Sequence, residues 1–270
     1  MLIDTHAHLN FNAYKHDVDD VVRRSLDSNV WMINVGSQLS TSKRAVELSE
    51  KYPEGVYAAV GLHPIHLSEG IFKTKIDKEE IEFNTREEEF NYEEYKKLAQ
   101  SKKVVAIGEI GFDYWYRPKT KKKLEEFKNK QKEAFLKQLS LAKELNLPVI
   151  FHCRVAHQDL LDNLNIEVKG VVHCFSGNWQ EAEKYLNKGL YMGFNGIIFK
   201  LNLDEIIEKI PEDRILIETD CPYLTPPPME GRNEPIYVKY VIEKIAKIKK
   251  KSYEEIAEIT TKNAKPLFGL

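Results

Sequence analysis

Cysteine is scarce in this 270-residue chain. Cys153, Cys174 and Cys221 are the whole supply, and an odd number without paired spacing implies no disulfide framework. No apolar run approaches the roughly 18 residues of a membrane span. No signal-like leader precedes the first strand-like segment, so a cytoplasmic protein with no membrane partner is expected. Neither sign of charge is in excess. The formal net charge of −2 excludes a global basic field that would draw the protein onto nucleic acid, so any such contact has to be local. The glycine-rich phosphate loop of dinucleotide-binding folds is missing after the first apolar segment, and no internal repeat is evident. The basic runs Arg117–Lys123 and Lys247–Lys251 read first as solvated helix edges.

What is present is a regular alternation. Short apolar segments at Leu2–Thr5, Val30–Val35, Val56–Gly61, Val104–Glu109, Pro148–His152, Gly170–His173, Leu190–Asn195 and Arg214–Thr219 predict eight strands. Most are continuous apolar runs, as strands covered on both faces should be. Helical stripes lie between them, such as Lys123–Asn146 and the Val238, Val241, Ile242, Ile245, Ile248 series. Ser252 with Glu255 forms a capping box for a terminal helix. Eight strands alternating with helices predict one (β/α)8 barrel domain over residues 1–270. Ile71–Lys97, with eight Glu and one Asp, reads as a polar excursion between strands three and four. Balanced charge favours a monomer.

In a parallel barrel, reactive side chains gather at the C-terminal strand ends. Those ends hold His6 and His8 on strand one, Glu109 on strand four, His152 on strand five and His173 on strand six. Asp220 follows strand eight and His63 follows strand three. His6 and His8, at i and i+2, leave a strand on the same face. Glu109 is an acid inside an apolar strand and needs a partner there. Imidazole and carboxylate donors suit Zn, Mn, Fe or Co, and Mg less well.

Six ligands exceed one tetrahedral site, so two divalent ions are expected. His6, His8 and Asp220 take the first, His152 and His173 the second, and Glu109 bridges them. Each residue alone has a blander use: a lone buried His is more often a hydrogen-bonding core residue, and Asp220 can cap the turn before Pro222. Their joint placement favours the metal reading. His16, His66 and His157 lie off the strand ends, at the surface or behind the ligands. Cys153 and Cys174, each next to a ligand, should face the helices as packing residues.

The chain resembles the TatD family of metal-dependent hydrolases. The matching stretches are DTHAHL (4–9), VGLHP (60–64), IGEIGFDY (107–114), PVIFHCRVA (148–156), VVHCFSG (171–177), GFNGIIF (193–199), ILIETDCPYLTP (215–226), RNEP (232–235) and NAKPLF (263–268). The resemblance implies a (β/α)8 barrel and a hydrolase of ester bonds, a deoxyribonuclease that is often a 3′-to-5′ exonuclease. Magnesium or manganese would serve activity, with Zn, Fe or Co compatible as bound species. It puts the metal positions on His6, His8, Glu109, His152, His173 and Asp220, and His63 beside them. Val155 departs from the family, which commonly has an acid there.

The expected mechanism is phosphodiester hydrolysis by a hydroxide generated between two metals. Asp220 orients it and takes its proton, and His63 donates to the leaving oxygen. Arg154 and Arg232 offer guanidinium forks for phosphate, or else serve structural salt bridges. Tyr114, with Phe112, Trp115 and Tyr116, is placed to stack on bases, or else to pack its own loop. The same groups would serve a D-aminoacyl-tRNA deacylase, for which the partner is tRNA. A non-catalytic metal or nucleic-acid binding protein would not need the complete ligand set.

Overall fold

The computed structural model describes residues 1–68, 70–76, 79–85, 87–164 and 167–270, with 70–76 and 79–85 as backbone only. Eight parallel strands make one sheet: β1 (Leu2–Ala7), β2 (Val30–Val35), β3 (Val56–Val60), β6 (Val104–Asp113), β7 (Val149–Arg154), β8 (Gly170–Val172), β9 (Tyr191–Phe194) and β10 (Ile215–Ile217), side by side in that order. The two remaining strands, β4 (Gly70–Ile76) and β5 (Glu79–Thr85), pair antiparallel outside the barrel. The seam between β1 and β10 closes by backbone bonds at the mouth. Asp220 N donates to His6 O at 2.8 Å, and His8 N to Cys221 O at 2.9 Å. Buried Asp4 reinforces the seam by accepting from Thr219 N and Thr219 Oγ1. The result is a nearly closed (β/α)8 barrel.

Helices cover the outside: α1 (Val18–Asp27), α2 (Leu39–Glu50), α3 (Tyr92–Leu98), α4 (Lys121–Leu145), α5 (His157–Asn163), α6 (Trp179–Asn187), α7 (Asp204–Lys209), α8 (Val238–Lys249) and α9 (Tyr253–Phe268). The strand pattern explains the layering. Val149, Phe151 and Cys153 face the helices, whereas Ile150 faces inward, two residues before His152. Ile3, Ile33, Val171 and Leu216 join Ile150, and Leu267 and Phe268 of α9 pack on this cluster. The Ser252–Glu255 capping box starts α9 as expected, the Ser252 side chain accepting from Glu255 N.

Two differences from expectation matter. β6 runs on to Asp113, four residues past Glu109, with a register shift between Gly108 and Ile110. A bulge re-aims the residue at the shift, and that residue is Glu109. Gly111 follows at φ 149°, where a Cβ would lie 2.0 Å from His152 O. The Ile71–Lys97 stretch is the expected excursion between the third and fourth barrel strands, but it carries structure that the sequence pattern did not assign: most of the β4–β5 hairpin and all of α3 but Leu98, while residues 77, 78 and 86 lie outside the described set. Among the described residues no helix is long and apolar enough to cross a membrane.

Candidate metal centre

The barrel mouth brings the imidazoles and carboxylates to one point. His6 Nε2 and His8 Nε2 lie 3.1 Å apart, and Asp220 Oδ1 lies 3.3 Å from His8 Nε2 and 3.8 Å from His6 Nε2. Glu109 turns Oε1 to His152 Nδ1 at 2.5 Å and His173 Nε2 at 2.7 Å, and Oε2 to His6 Nε2 at 3.4 Å. Among the described residues three groups have donor atoms close enough to share a cation: His6–His8–Asp220, His6–Glu109–His173 and His63–Asp113–His152. Glu109, 4 % exposed, forms the floor.

In three of the rings the outward side sets what the inward side can do, whereas His6 Nδ1 has no partner among the described residues. His8 Nδ1 is 2.8 Å from Val35 O. A carbonyl only accepts, so Nδ1 carries the proton and Nε2 keeps a lone pair toward the centre. His173 Nδ1 meets Glu218 Oε1 at 3.3 Å, leaving Nε2 inward. His152 Nε2 meets Asp113 Oδ2 at 3.1 Å, leaving Nδ1 inward. Three lone pairs thus converge on carboxylate oxygens, which repel them unless a proton or a cation lies between. The donor set therefore fits divalent metal, with outer carboxylates of the kind that orient ligating imidazoles.

Without metal, protons take that place at His152 and His173. Burial pushes the Glu109 carboxyl up, but the surrounding imidazoles, His173 first, hold it well below its ordinary value. Burial would lower the His152 imidazole, yet Glu109 and Asp113 raise it to about 9. His173, against Glu109 and Glu218, is likewise raised well above the ordinary value despite its burial. His6 is lowered by burial and by the charge of His173.

A model of the TatD-related DNase family matches residues 3–269. The chain belongs to this family. It is 43 % identical to YabD of Bacillus subtilis (strain 168), an uncharacterized metal-dependent hydrolase, with both chains covered completely. It is 31 % identical to the 3′-5′ ssDNA/RNA exonuclease TatD of Escherichia fergusonii, over 100 % of this chain and 99 % of that one. The crystal structure of YJJV, a TatD homolog from Escherichia coli K12, superposes with a TM-score of 0.83 at 28 % identity, covering 100 % and 98 % of the two chains. The protein is accordingly a metal-dependent hydrolase of the TatD family.

Other candidate residues of this TatD-family chain fall in distinct places. His63 lies in the mouth, Nε2 3.4 Å from Glu109 Oε1. Ile65 N donates to its Nδ1 at 3.0 Å, so the proton of the neutral ring sits on Nε2. Burial and the charge of His152 lower its pKa and keep it neutral. Tyr114 does not present its ring for stacking: it is buried and its hydroxyl donates to Asp159 Oδ2 at 2.7 Å. Phe112 is buried against Phe135. Arg232 is held by Asp17, its Nη1 and Nη2 donating at 2.9 and 2.5 Å, and by Ala13 O, which is a structural salt bridge. Arg154 and Trp115 remain exposed at the rim.

Cys153 faces the helices, its Sγ 3.3 Å from His157 Nδ1. Cys174 does not join that layer. Its backbone is left-handed (φ 46°) and its Sγ approaches Asn195 Oδ1.

Asp113 and Glu218, which meet the His152 and His173 rings, were not singled out by sequence reasoning. Glu218 carries the same signal as Glu109, an acid inside an apolar strand, in Ile215-Leu216-Ile217-Glu218. Asp113 had none, because it lies beyond the expected strand end.

Proposed function

We propose that the protein is a two-metal deoxyribonuclease that removes nucleotides from the 3′ end of single-stranded or frayed DNA. His6, His8 and Asp220 would hold one divalent ion and His152 and His173 the other, with Glu109 between them, and magnesium or manganese would serve catalysis. Such a pair supplies Lewis-acid polarisation of the phosphoryl group and lowers the pKa of water.

The chain's own groups supply the rest. Burial pushes the Asp220 carboxyl up, but the neighbouring His8, His173 and His6 outweigh it and keep the group below its ordinary value. Asp220 is therefore ionised at neutral pH and can accept the proton of the attacking water. His63, with its proton on Nε2, gives a hydrogen bond to the departing oxygen. Asp113 and Glu218 hold the His152 and His173 rings in the tautomers that face the centre.

The observation that carries this reading is the set of three imidazoles whose outward acceptors turn a lone pair inward, His152 and His173 toward Glu109 and His8 toward Asp220. The exonuclease relatives support the choice of bond. A buried floor also suits a strand end better than an intact duplex.

The test uses metal-reconstituted protein with 3′-labelled and 5′-labelled single-stranded oligonucleotides, beside Asp220→Ala. A ladder growing from the 3′ end, absent in the variant, is expected. Intact oligonucleotide with both metals bound would overturn the nuclease reading and turn attention to D-aminoacyl-tRNA esters.

A further inference from the structure

The metal centre accounts for the interior of the mouth but not for its rim beside β6 and β7. Trp115 is 56 % exposed there, and Arg154 Cζ lies 4.4 Å from the centre of its indole ring. The pair is fixed to the centre behind it. Trp115 N donates to Asp113 Oδ1 at 2.9 Å, and the other oxygen of that carboxylate meets His152. Arg154 is two residues past His152 on β7, so both side chains leave the same face of the strand. No carboxylate among the described residues pairs with Arg154, whereas Arg24, Arg214 and Arg232 each have one.

Past Trp115 the chain turns basic. Residues 117–132 hold eight lysines or arginines and two glutamates. Arg117, Lys119, Lys121, Lys122 and Lys123 are exposed, and none has an ion-pair partner among the described residues. The last three occupy the first turn of α4, which contains no acid. Cations there oppose the helix dipole, so the sequence accepts a local cost to keep them. The other basic run differs. Lys249 Nζ donates to Glu208 O and Ile210 O, Lys250 pairs with Glu208, and Lys251 pairs with Glu212. In a chain of net charge −2, five cations without an ion-pair partner among the described residues follow the exposed Trp–Arg pair beside the metal centre.

We propose that this rim is the docking surface for the single-stranded part of a nucleic-acid substrate. A base stacks on Trp115, Arg154 meets a backbone phosphate, and the 117–123 run takes phosphates further along the strand. The aromatic face is what favours a nucleic acid over an acidic peptide, since every base has a π-face to offer it. The surface rests on the nuclease reading for its substrate, but it lies outside the metal centre and is testable without catalysis.

The experiment measures binding of a 5′-labelled single-stranded oligothymidylate to the full-length metal-free protein by fluorescence anisotropy, across a salt series. Trp115→Ala should weaken binding about tenfold, and Trp115→Phe should restore most of it. Lys121→Gln/Lys122→Gln/Lys123→Gln should weaken binding and flatten the slope of log affinity against log salt by about 2, from roughly 0.7 per phosphate contact. Lys247→Gln/Lys250→Gln, in the other basic run, should change neither. Equal losses in that control, no loss in the Trp115 and lysine variants, or no binding by the wild type would each overturn the proposal. The nuclease reading is judged separately, by cleavage with metal: cleavage with a rim-independent affinity sinks the surface alone, and rim-dependent binding without cleavage sinks the nuclease alone.

Discussion

At the mouth of the barrel the inward strand positions carry His152, His173 and Glu218, and two residues earlier along the same strands they carry Ile150, Val171 and Leu216. The pleat is the same; the chemistry changes within one step. Below the step, side chains of α9 close an apolar layer. Above it, every buried imidazole that faces the centre is answered by an acceptor or a carboxylate. The same contrast appears in the backbone. Left-handed residues away from the mouth, such as Asn146 and Lys250, are helix C-caps, the ordinary use of that conformation. At the mouth, Val155, Cys174 and Asp220 are left-handed at or just after candidate ligand positions. The lower layer is thus built for stability, and the upper one holds charge and strain that the lower one stabilises.

The largest effect should come from removing the floor of the mouth. Glu109→Gln takes away the one carboxylate that faces His6, His152 and His173 together. Several kcal/mol of metal-derived stabilisation correspond to a loss of about 10³-fold in kcat/KM, with bound metal per chain falling in the same sample. Full metal content and full activity in this variant would make the mouth an ordinary buried polar cluster and erase the contrast.

The lower layer should respond in the opposite way. Phe268→Ala empties a buried site against the inner strands and should cost about 3 kcal/mol or more of unfolding free energy. Metal affinity of the folded fraction should not change. Denaturant unfolding and metal titration on the same variant separate the two. A drop in affinity without a drop in stability would show that the layers are not independent.

The outer carboxylates come next, and they also show where the sequence was legible. Ligand positions stand out because a charge at the end of an apolar strand is costly to bury unless a partner meets it, and the strand alternation alone carries the barrel. What is hidden is set by three-dimensional irregularity. Asp113 reaches His152 only because β6 continues past a bulge that no periodicity marks. Glu218 has the sequence signal of a buried acid, but Asp220, two residues on, accounts for the same stretch. The seam bond of Asp4 to Thr219 joins residues at opposite ends of the barrel order, a pairing that no local pattern contains. The β4–β5 hairpin is masked by its glutamates, although Phe72, Thr74 and Ile76 alternate with lysines and isoleucine in strand fashion.

These two carboxylates should differ when neutralised. Asp113→Asn replaces one of two accepting oxygens with a donor, which opposes His152 Nε2–H or displaces Trp115 N. A loss of up to about 100-fold in metal affinity is expected. Glu218→Gln can keep Oε1 on Cys174 N, Asn195 Nδ2 and His173 Nδ1 and place its amide where Oε2 has no partner. It should cost only about 10-fold. Isothermal titration of the apo variants reads both, and equal losses would remove the tautomer argument.

The smallest effect tests the strain. Val155 is β-branched, half-exposed and left-handed at φ 58°, a conformation costing an L-residue roughly 1–2 kcal/mol. Glycine would relieve that cost but add about 0.5–1 kcal/mol of chain entropy, so Val155→Gly should stabilise by about 1 kcal/mol or less. Lys250→Gly, at the α8 C-cap with φ 56°, should gain a similar amount for the same reason. Their effects on catalysis should part. Val155 follows Arg154 at the rim, so loosening it should lower kcat/KM toward oligonucleotides a few-fold, whereas Lys250→Gly should leave kcat/KM unchanged. If Val155→Gly gains stability and loses no activity, the left-handed valine is an incidental cost of turning the chain from β7 into α5, and strain at the mouth has no part in holding the rim.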